Sequence, residues 1–93
     1  MPEHIAILQL SWTLEAWSDY AFWLEQDKKI LKKINGLLKD CLRSPYAGIG
    51  KPEPLKGNLA GFWSRRITDE HRLVYCVERE RLVVISCRYH YQK

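Results

Sequence analysis

With 93 residues, 46% hydrophobic side chains and a formal charge of +4, the chain is expected to form one domain over residues 1–93, burying somewhat over about 60% of its unfolded surface. That composition excludes a disordered ground state, and no run of about 18 apolar residues is present for a membrane span. Met1-Pro2-Glu3-His4 lacks the basic-then-apolar start of a secretion signal, so a cytoplasmic protein without membrane contact is expected.

Residues 5–12 are rich in strand formers, and Thr13 can cap a following helix through its hydroxyl, with Glu15 favourable in the first turn. Leu14, Trp17, Ala21 and Leu24 recur at three- and four-residue spacing and are expected to form the stripe that lies on a sheet. Asp27 punctuates this helix. A second helix begins at Lys28, with Ile30, Ile34, Leu37, Leu38, Cys41 and Leu42 on one face. Lys28, Lys29, Lys32, Lys33 and Lys39 fall largely on the others, where such a face is usually solvated. Ser44-Pro45 ends it, and Gly48, Gly50, Pro52, Pro54, Gly57 and Gly61 mark a long structured loop. Loops of this length in small domains are uncommon unless they carry function. Residues 62–67, 72–77 and 82–88 then read as three strands of an antiparallel meander. The order β, α, α, β, β, β predicts an α+β fold, with an N-terminal strand and two helices packed on an antiparallel sheet.

The charge is unevenly placed. Residues 1–43 hold six basic and six acidic side chains, residues 44–93 nine basic and five acidic, so a polyanion should meet the second segment, with salt-sensitive binding. Against this, many small domains are mildly basic for solubility alone. Cys41, Cys76 and Cys87 are odd in number, sit in apolar runs and have no CxxC spacing, which points to reduced core residues and no metal.

Three stretches of that second segment hold an inventory suited to RNA cleavage without a cofactor: Lys51-Pro52-Glu53-Pro54-Leu55-Lys56, Trp63-Ser64-Arg65-Arg66 through Arg72, and Tyr89-His90-Tyr91. Cutting RNA at its own 2′-hydroxyl requires a base for that proton, cations for the charge gathering on phosphorus, and an acid for the departing 5′ oxygen. A glutamate is ionised at neutral pH, and Lys51 nearby would keep it so, which makes Glu53 the base and leaves His90 as the acid. Arg72 is the choice for the transition-state cation, since a guanidinium donates two bonds to phosphate and stays charged. Lys56 and Arg66 would hold flanking phosphates, and Tyr91 could stack on a base. Each has a plainer alternative: Glu53 as a surface turn residue between prolines, Arg72 paired with Glu70 or Glu80, Trp63 in the core, Tyr91 as an exposed tyrosine near a chain end. His71, beside Glu70 in a turn, is assigned a structural role.

These residues, with Asn58-Leu59, Gly61-Phe62-Trp63-Ser64-Arg65-Arg66-Ile67, His71-Arg72-Leu73-Val74-Tyr75 and Cys87-Arg88-Tyr89-His90-Tyr91, resemble the YoeB family of bacterial toxins in the RelE/ParE superfamily, from about Trp12 to Tyr91. The resemblance implies a microbial-ribonuclease-like fold and a toxin that cleaves mRNA in the ribosomal A site without metal. It places the general base on Glu53, the general acid on His90, phosphate-binding and charge-stabilising roles on Lys56, Arg66 and Arg72, and the terminal tyrosine on Tyr91. Lys51 and Arg65 are counted with the RNA-binding group. It also implies neutralisation by a YefM-like antitoxin, contact with operator DNA only as the toxin–antitoxin complex, and the capacity to form homodimers. Two rival readings of the same scaffold are a non-catalytic gyrase inhibitor and a partner in a repressor complex; Glu53 together with His90 separates the nuclease from both.

Overall fold

The computed structural model describes residues 6–89. Strand β1 (Gln9–Trp12) leads into α1 (Leu14–Gln26) and α2 (Lys28–Arg43); strands β2 (Glu53–Pro54), β3 (Trp63–Arg66), β4 (Arg72–Glu78) and β5 (Arg81–Ser86) follow. The sheet order is β1-β5-β4-β3-β2. Strands β3 to β5 pair antiparallel as the sequence suggests; β2, inside the stretch expected to be loop, adds an antiparallel edge strand, and β1 lies parallel to β5, with Gln9 opposite Arg81 and Trp12 opposite Val84. The α+β expectation therefore holds, and the wholly antiparallel sheet does not. A meander is announced by local turns, whereas the pairing of the first strand with the last leaves no local mark.

The helices are set by their ends. The Thr13 hydroxyl accepts from Ala16 N at 3.1 Å and donates to Ile85 O at 3.4 Å, tying the start of α1 to β5. Asp27 ends α1, its N–H donating to Trp23 O at 2.9 Å, and starts α2, its Oδ1 accepting from Lys29 N and Ile30 N at 3.1 and 3.2 Å. One aspartate thus joins two helices without a loop.

In α2 the expected stripe is the buried one: Ile34, Leu37, Leu38 and Cys41 pack with Leu73, Tyr75, Leu82 and Val84, and its lysines are exposed. In α1 the stripe is displaced. Leu14 is 88% exposed, Trp17 54% and Leu24 47%, while Ala16 and Trp23 are buried. The reason is polar. The Trp23 indole N–H donates to Cys87 O at 2.9 Å and Asp19 Oδ2 accepts from Cys87 N at 3.0 Å, so the face bearing Asp19 and Trp23 must turn to the end of β5. Trp12, Trp17 and Tyr20 gather at its flank, with ring centroids 5.0 to 5.9 Å apart.

Arg65 on β3 points toward α2 and is completely buried. All five of its N–H donors are used: Nε on the Tyr75 hydroxyl at 3.1 Å, Nη1 on Asp40 Oδ2 at 2.7 Å and Ile49 O at 3.0 Å, and Nη2 on Ser44 O at 2.6 Å and Ala47 O at 2.9 Å. The Tyr75 hydroxyl donates onward to Pro45 O at 2.7 Å, and Asp40 Oδ2 also accepts from Ile49 N at 3.0 Å. Residues 44–49 are therefore wrapped around one guanidinium. The wrap is tight: a Cβ on Gly48 would overlap the Asp40 carboxylate, and one on Gly50, which has φ of +79°, would lie 2.7 Å from Leu37 Cδ2. Gly50 O then accepts from Arg66 N at 2.7 Å, which seats the chain beside β3 just before it enters β2.

Two predictions follow from this packing. Leu14→Ala should change unfolding free energy by no more than about 0.5 kcal/mol, whereas Ile34→Ala should cost about 2–5 kcal/mol, both read by urea denaturation. The hydrogen bond from Arg65, then that from the Ile49 N–H, hold the Asp40 carboxyl at about 2, below the ordinary 3.8. A depressed carboxyl stabilises the fold above its unfolded value, so this contribution should be complete above pH 4 or so and disappear as pH falls toward 2. Asp40→Asn should lose that part of the acid dependence and, by leaving the Arg65 charge uncompensated, be destabilised at pH 7 by about 3–5 kcal/mol.

Candidate active site

Neighbouring residues on a strand face opposite ways. With Arg65 turned inward, Ser64 and Arg66 turn to the face away from the helices. The register sets Glu53 opposite Ser64 and Arg72 opposite Arg66, so Glu53, Ser64, Arg66 and Arg72 share that outer face. Arg72 Nη1 donates to Ser64 Oγ at 3.5 Å, which lays its guanidinium over the cross-strand partner of Glu53. Two of the three stretches that sequence reading brought together by chemistry alone, those of Glu53 and of Arg66 with Arg72, are adjacent strands here.

Arg72 is half-buried, and its Nε is buried with no hydrogen-bond partner among the described residues. Among the described residues it makes no ion pair with Glu70 or Glu80, and Glu70 lies instead 3.7 Å from His71 Nε2. An unpartnered buried donor on a permanent cation is a group prepared for an anion. Arg66, with a side chain 45% exposed, has among the described residues one ion-pair contact, with the fully exposed Asp69 at 3.9 Å, a contact worth little. Two guanidiniums set directly across a strand pair repel one another, and a phosphate lying over them would offset that repulsion.

Glu53 lies exposed on the edge strand, Pro54 following it opposite Trp63. Lys51 and Lys56 flank it on the same stretch of chain, both exposed, and neither forms an ion pair among the described residues. Lys51 adopts a left-handed φ of 51° where the chain leaves the Arg65 wrap. A short 3₁₀ turn, Gly57–Leu59, and the bond from Leu55 N to Phe62 O at 2.9 Å close this loop back onto β3. Glu53 is thus indeed a surface residue, but one held in the sheet by pairing rather than left in a free turn.

His90 and Tyr91 lie outside the described residues. Tyr89, immediately before them, is described: its carbonyl accepts from Arg72 N at 3.1 Å, so the chain leading to His90 starts against the candidate cation. Arg88 lays its guanidinium 3.5 Å from the Phe22 ring centroid and 4.9 Å from that of Tyr89.

The assignment of Arg65 to RNA binding is corrected. It has no exposed surface and no donor left for a phosphate, and its work is to fix the loop that carries Lys51 and Glu53. Adjacent arginines on one strand cannot share a face, and that alternation was the signal available to separate Arg65 from Arg66. Trp63 is half-buried against Tyr46, ring centroids 4.9 Å apart, in keeping with its core reading. Cys41, Cys76 and Cys87 are buried, and burial pushes the Cys87 thiol up to about 12, as suits unreactive core thiols. Among the described residues no three His, Cys, Asp or Glu side chains are grouped to hold a metal ion, and no helix is long and apolar enough to cross a membrane. Sequence reading did not find Ser64 or Tyr89, which contribute here through position, nor Asp40, which a helical stripe of apolar residues conceals.

Residues 12–91 match the family described as the YoeB-like toxin of bacterial type II toxin-antitoxin systems. Toxin YoeB of Escherichia coli K12 is 61% identical over 84 residues, covering 90% of this chain and all of that protein. The structure of the YoeB dimer from Staphylococcus aureus superposes with a TM-score of 0.84 at 49% identity, and the YoeB-YefM complex from the same organism with 0.83 at 48%, each over 92% of this chain and all of the other. Together with a two-helix, five-stranded scaffold presenting Glu53, Arg66 and Arg72 on one open face, this places the chain among the YoeB toxins of bacterial type II toxin-antitoxin systems.

Proposed function

We propose that this toxin is a ribosome-dependent endoribonuclease that cuts mRNA in the ribosomal A site and thereby stops translation. The observation that carries the reading is the outer face of β2, β3 and β4, where β3 alone separates Glu53 from Arg72 and the buried Nε of Arg72 lacks a partner among the described residues.

In this mechanism the Glu53 carboxylate takes the proton from the 2′-hydroxyl. The 2′ oxygen attacks phosphorus while Arg72, helped by Arg66 and Lys56, holds the nonbridging oxygens and the charge that grows on them. His90 gives a proton to the 5′ oxygen as its bond to phosphorus breaks. The products are a 2′,3′-cyclic phosphate, or the monophosphate from its hydrolysis, and a free 5′-hydroxyl. Because the nucleophile belongs to the RNA itself, one base, one acid and fixed cations complete the proton and charge balance without a metal. Lys51 sits at the approach to Glu53 and Tyr91 supplies a stacking surface for a base. The S. aureus YoeB-YefM complex and YoeB dimer support a YefM-like antitoxin and a homodimer as partners of this chain, with operator DNA met only by the toxin-antitoxin pair. One domain over 1–93, acting in the cytoplasm, fits the same reading.

Purified protein incubated with programmed ribosomes should cut the mRNA, and mapping fragment 5′ ends should place the cuts in the A site, with the same naked mRNA as comparison. Glu53→Ala and His90→Ala should each slow cleavage by about 10² to 10⁴, Glu53→Ala with an unchanged melting temperature because the side chain is exposed. Lys56→Ala and Arg66→Ala should weaken binding for all sequences alike and reduce its salt dependence. Intact mRNA in both samples, with DNA gyrase inhibited instead, would overturn the nuclease reading in favour of a gyrase inhibitor.

A further inference from the structure

His71 is buried, its ring packed edge-on against Trp23 with centroids 4.8 Å apart. Its backbone is fixed by the turn before β4: His71 N donates to Thr68 Oγ1 at 3.0 Å, and His71 O accepts from Ile67 N at 2.9 Å and Thr68 N at 3.1 Å. What the ring does is specific. Nδ1 accepts from Tyr89 N at 2.7 Å, which places the ring proton on Nε2, toward Glu70 Oε1 at 3.7 Å.

Tyr89 is therefore held on both sides, its N–H by the His71 ring and its C=O by Arg72 N at 3.1 Å. It needs holding, because it has a φ of +60°, a conformation that a residue with a side chain keeps only when its surroundings impose it. The residue that follows is His90, the proposed acid, and the residue that grips the Tyr89 carbonyl is the proposed transition-state cation.

We propose that His71 is a positioning residue for cleavage: its Nδ1 is the acceptor that, with the Arg72 N–H, fixes the turn at Tyr89, the residue from which the chain passes to the proposed acid His90. The inference rests on the nuclease reading above and extends it. His71 touches neither RNA nor the reacting atoms; it acts through the Tyr89 peptide. A merely structural histidine would lower stability when replaced, whereas a positioning one lowers kcat while substrate binding persists.

Asn and Leu have nearly the same shape, and the side-chain oxygen of Asn falls where Nδ1 stood, so the pair isolates the acceptor. On programmed ribosomes, His71→Leu should lower kcat about 10-fold, the effect of leaving one part-buried donor without its fixed acceptor, with KM within about twofold. His71→Asn should recover most of the loss. His71→Gln, whose longer chain carries the acceptor past the Nδ1 position, should resemble the Leu variant, and it keeps the test decisive should His71→Leu fail to fold. Equal kcat for the Asn and Gln variants, or a Leu variant as active as unaltered protein, overturns the role of His71 while leaving the nuclease reading intact. If the unaltered protein leaves mRNA uncut, the nuclease reading itself fails, and this role with it.

Discussion

A guanidinium without solvent must find a partner for every N–H and for its charge, since an uncompensated interior cation costs several kcal/mol. In this toxin Arg65 meets that demand with one carboxylate, one phenol and three backbone carbonyls. The three carbonyls come from residues 44, 47 and 49, a stretch rich in turn formers with no strand or helix of its own to hold it. Its path is dictated by the arginine it encloses, and Asp40 of α2 closes the shell from the other side. The result is a loop with a defined exit, from which Lys51, Glu53 and the edge strand β2 emerge in register with β3. The outer face of the sheet, which carries the candidate residues, is thus organised from its inner face, through successive residues of one strand: Arg65 fixes the loop, and Arg66, its neighbour, looks out at what the loop delivers.

How much of this could be read in advance depended on the range of the interaction responsible. The stripe of α2 and the caps at Thr13 and Asp27 are local patterns, and they are present as read. The three strands of the meander are likewise marked by their turns. The stripe of α1 was misread because apolar spacing favoured Leu14, Trp17 and Leu24, while the helix is rotated by polar bonds from Asp19 and Trp23 to Cys87, more than sixty residues away. Parallel pairing of β1 with β5 is equally remote. In the site, Glu53, Arg66 and Arg72 were legible because their chemistry is distinctive, and the register gives them a common face. Arg65 was misplaced because chemistry alone cannot tell an arginine meant for phosphate from one meant for a carboxylate inside the fold; the alternation of strand residues can.

The outer face also differs from the core in how it is satisfied. Inside, every donor of Arg65 is matched. Outside, Arg66 and Arg72 oppose each other, one with a loose and exposed carboxylate, the other with a buried donor unmatched among the described residues. Self-satisfied polar groups rigidify a scaffold, whereas groups left in mutual repulsion are preorganised for a ligand of opposite charge. Arg65 and Arg66 are adjacent in the chain and differ in the side of the sheet they occupy.

Among the described residues, strand β1 has its one sheet neighbour in β5, with Gln9 opposite Arg81. On the translating ribosome β1 is made before β5 and must wait, unpaired, until both helices and strands β2 to β4 have followed it. Such long-range closure makes assembly slow relative to helix formation and leaves Ile7 and Trp12, which pack against the core in the finished fold, without cover in the interval. Closure of the β1–β5 seam is consequently a late event in folding, governed by the arrival of β5.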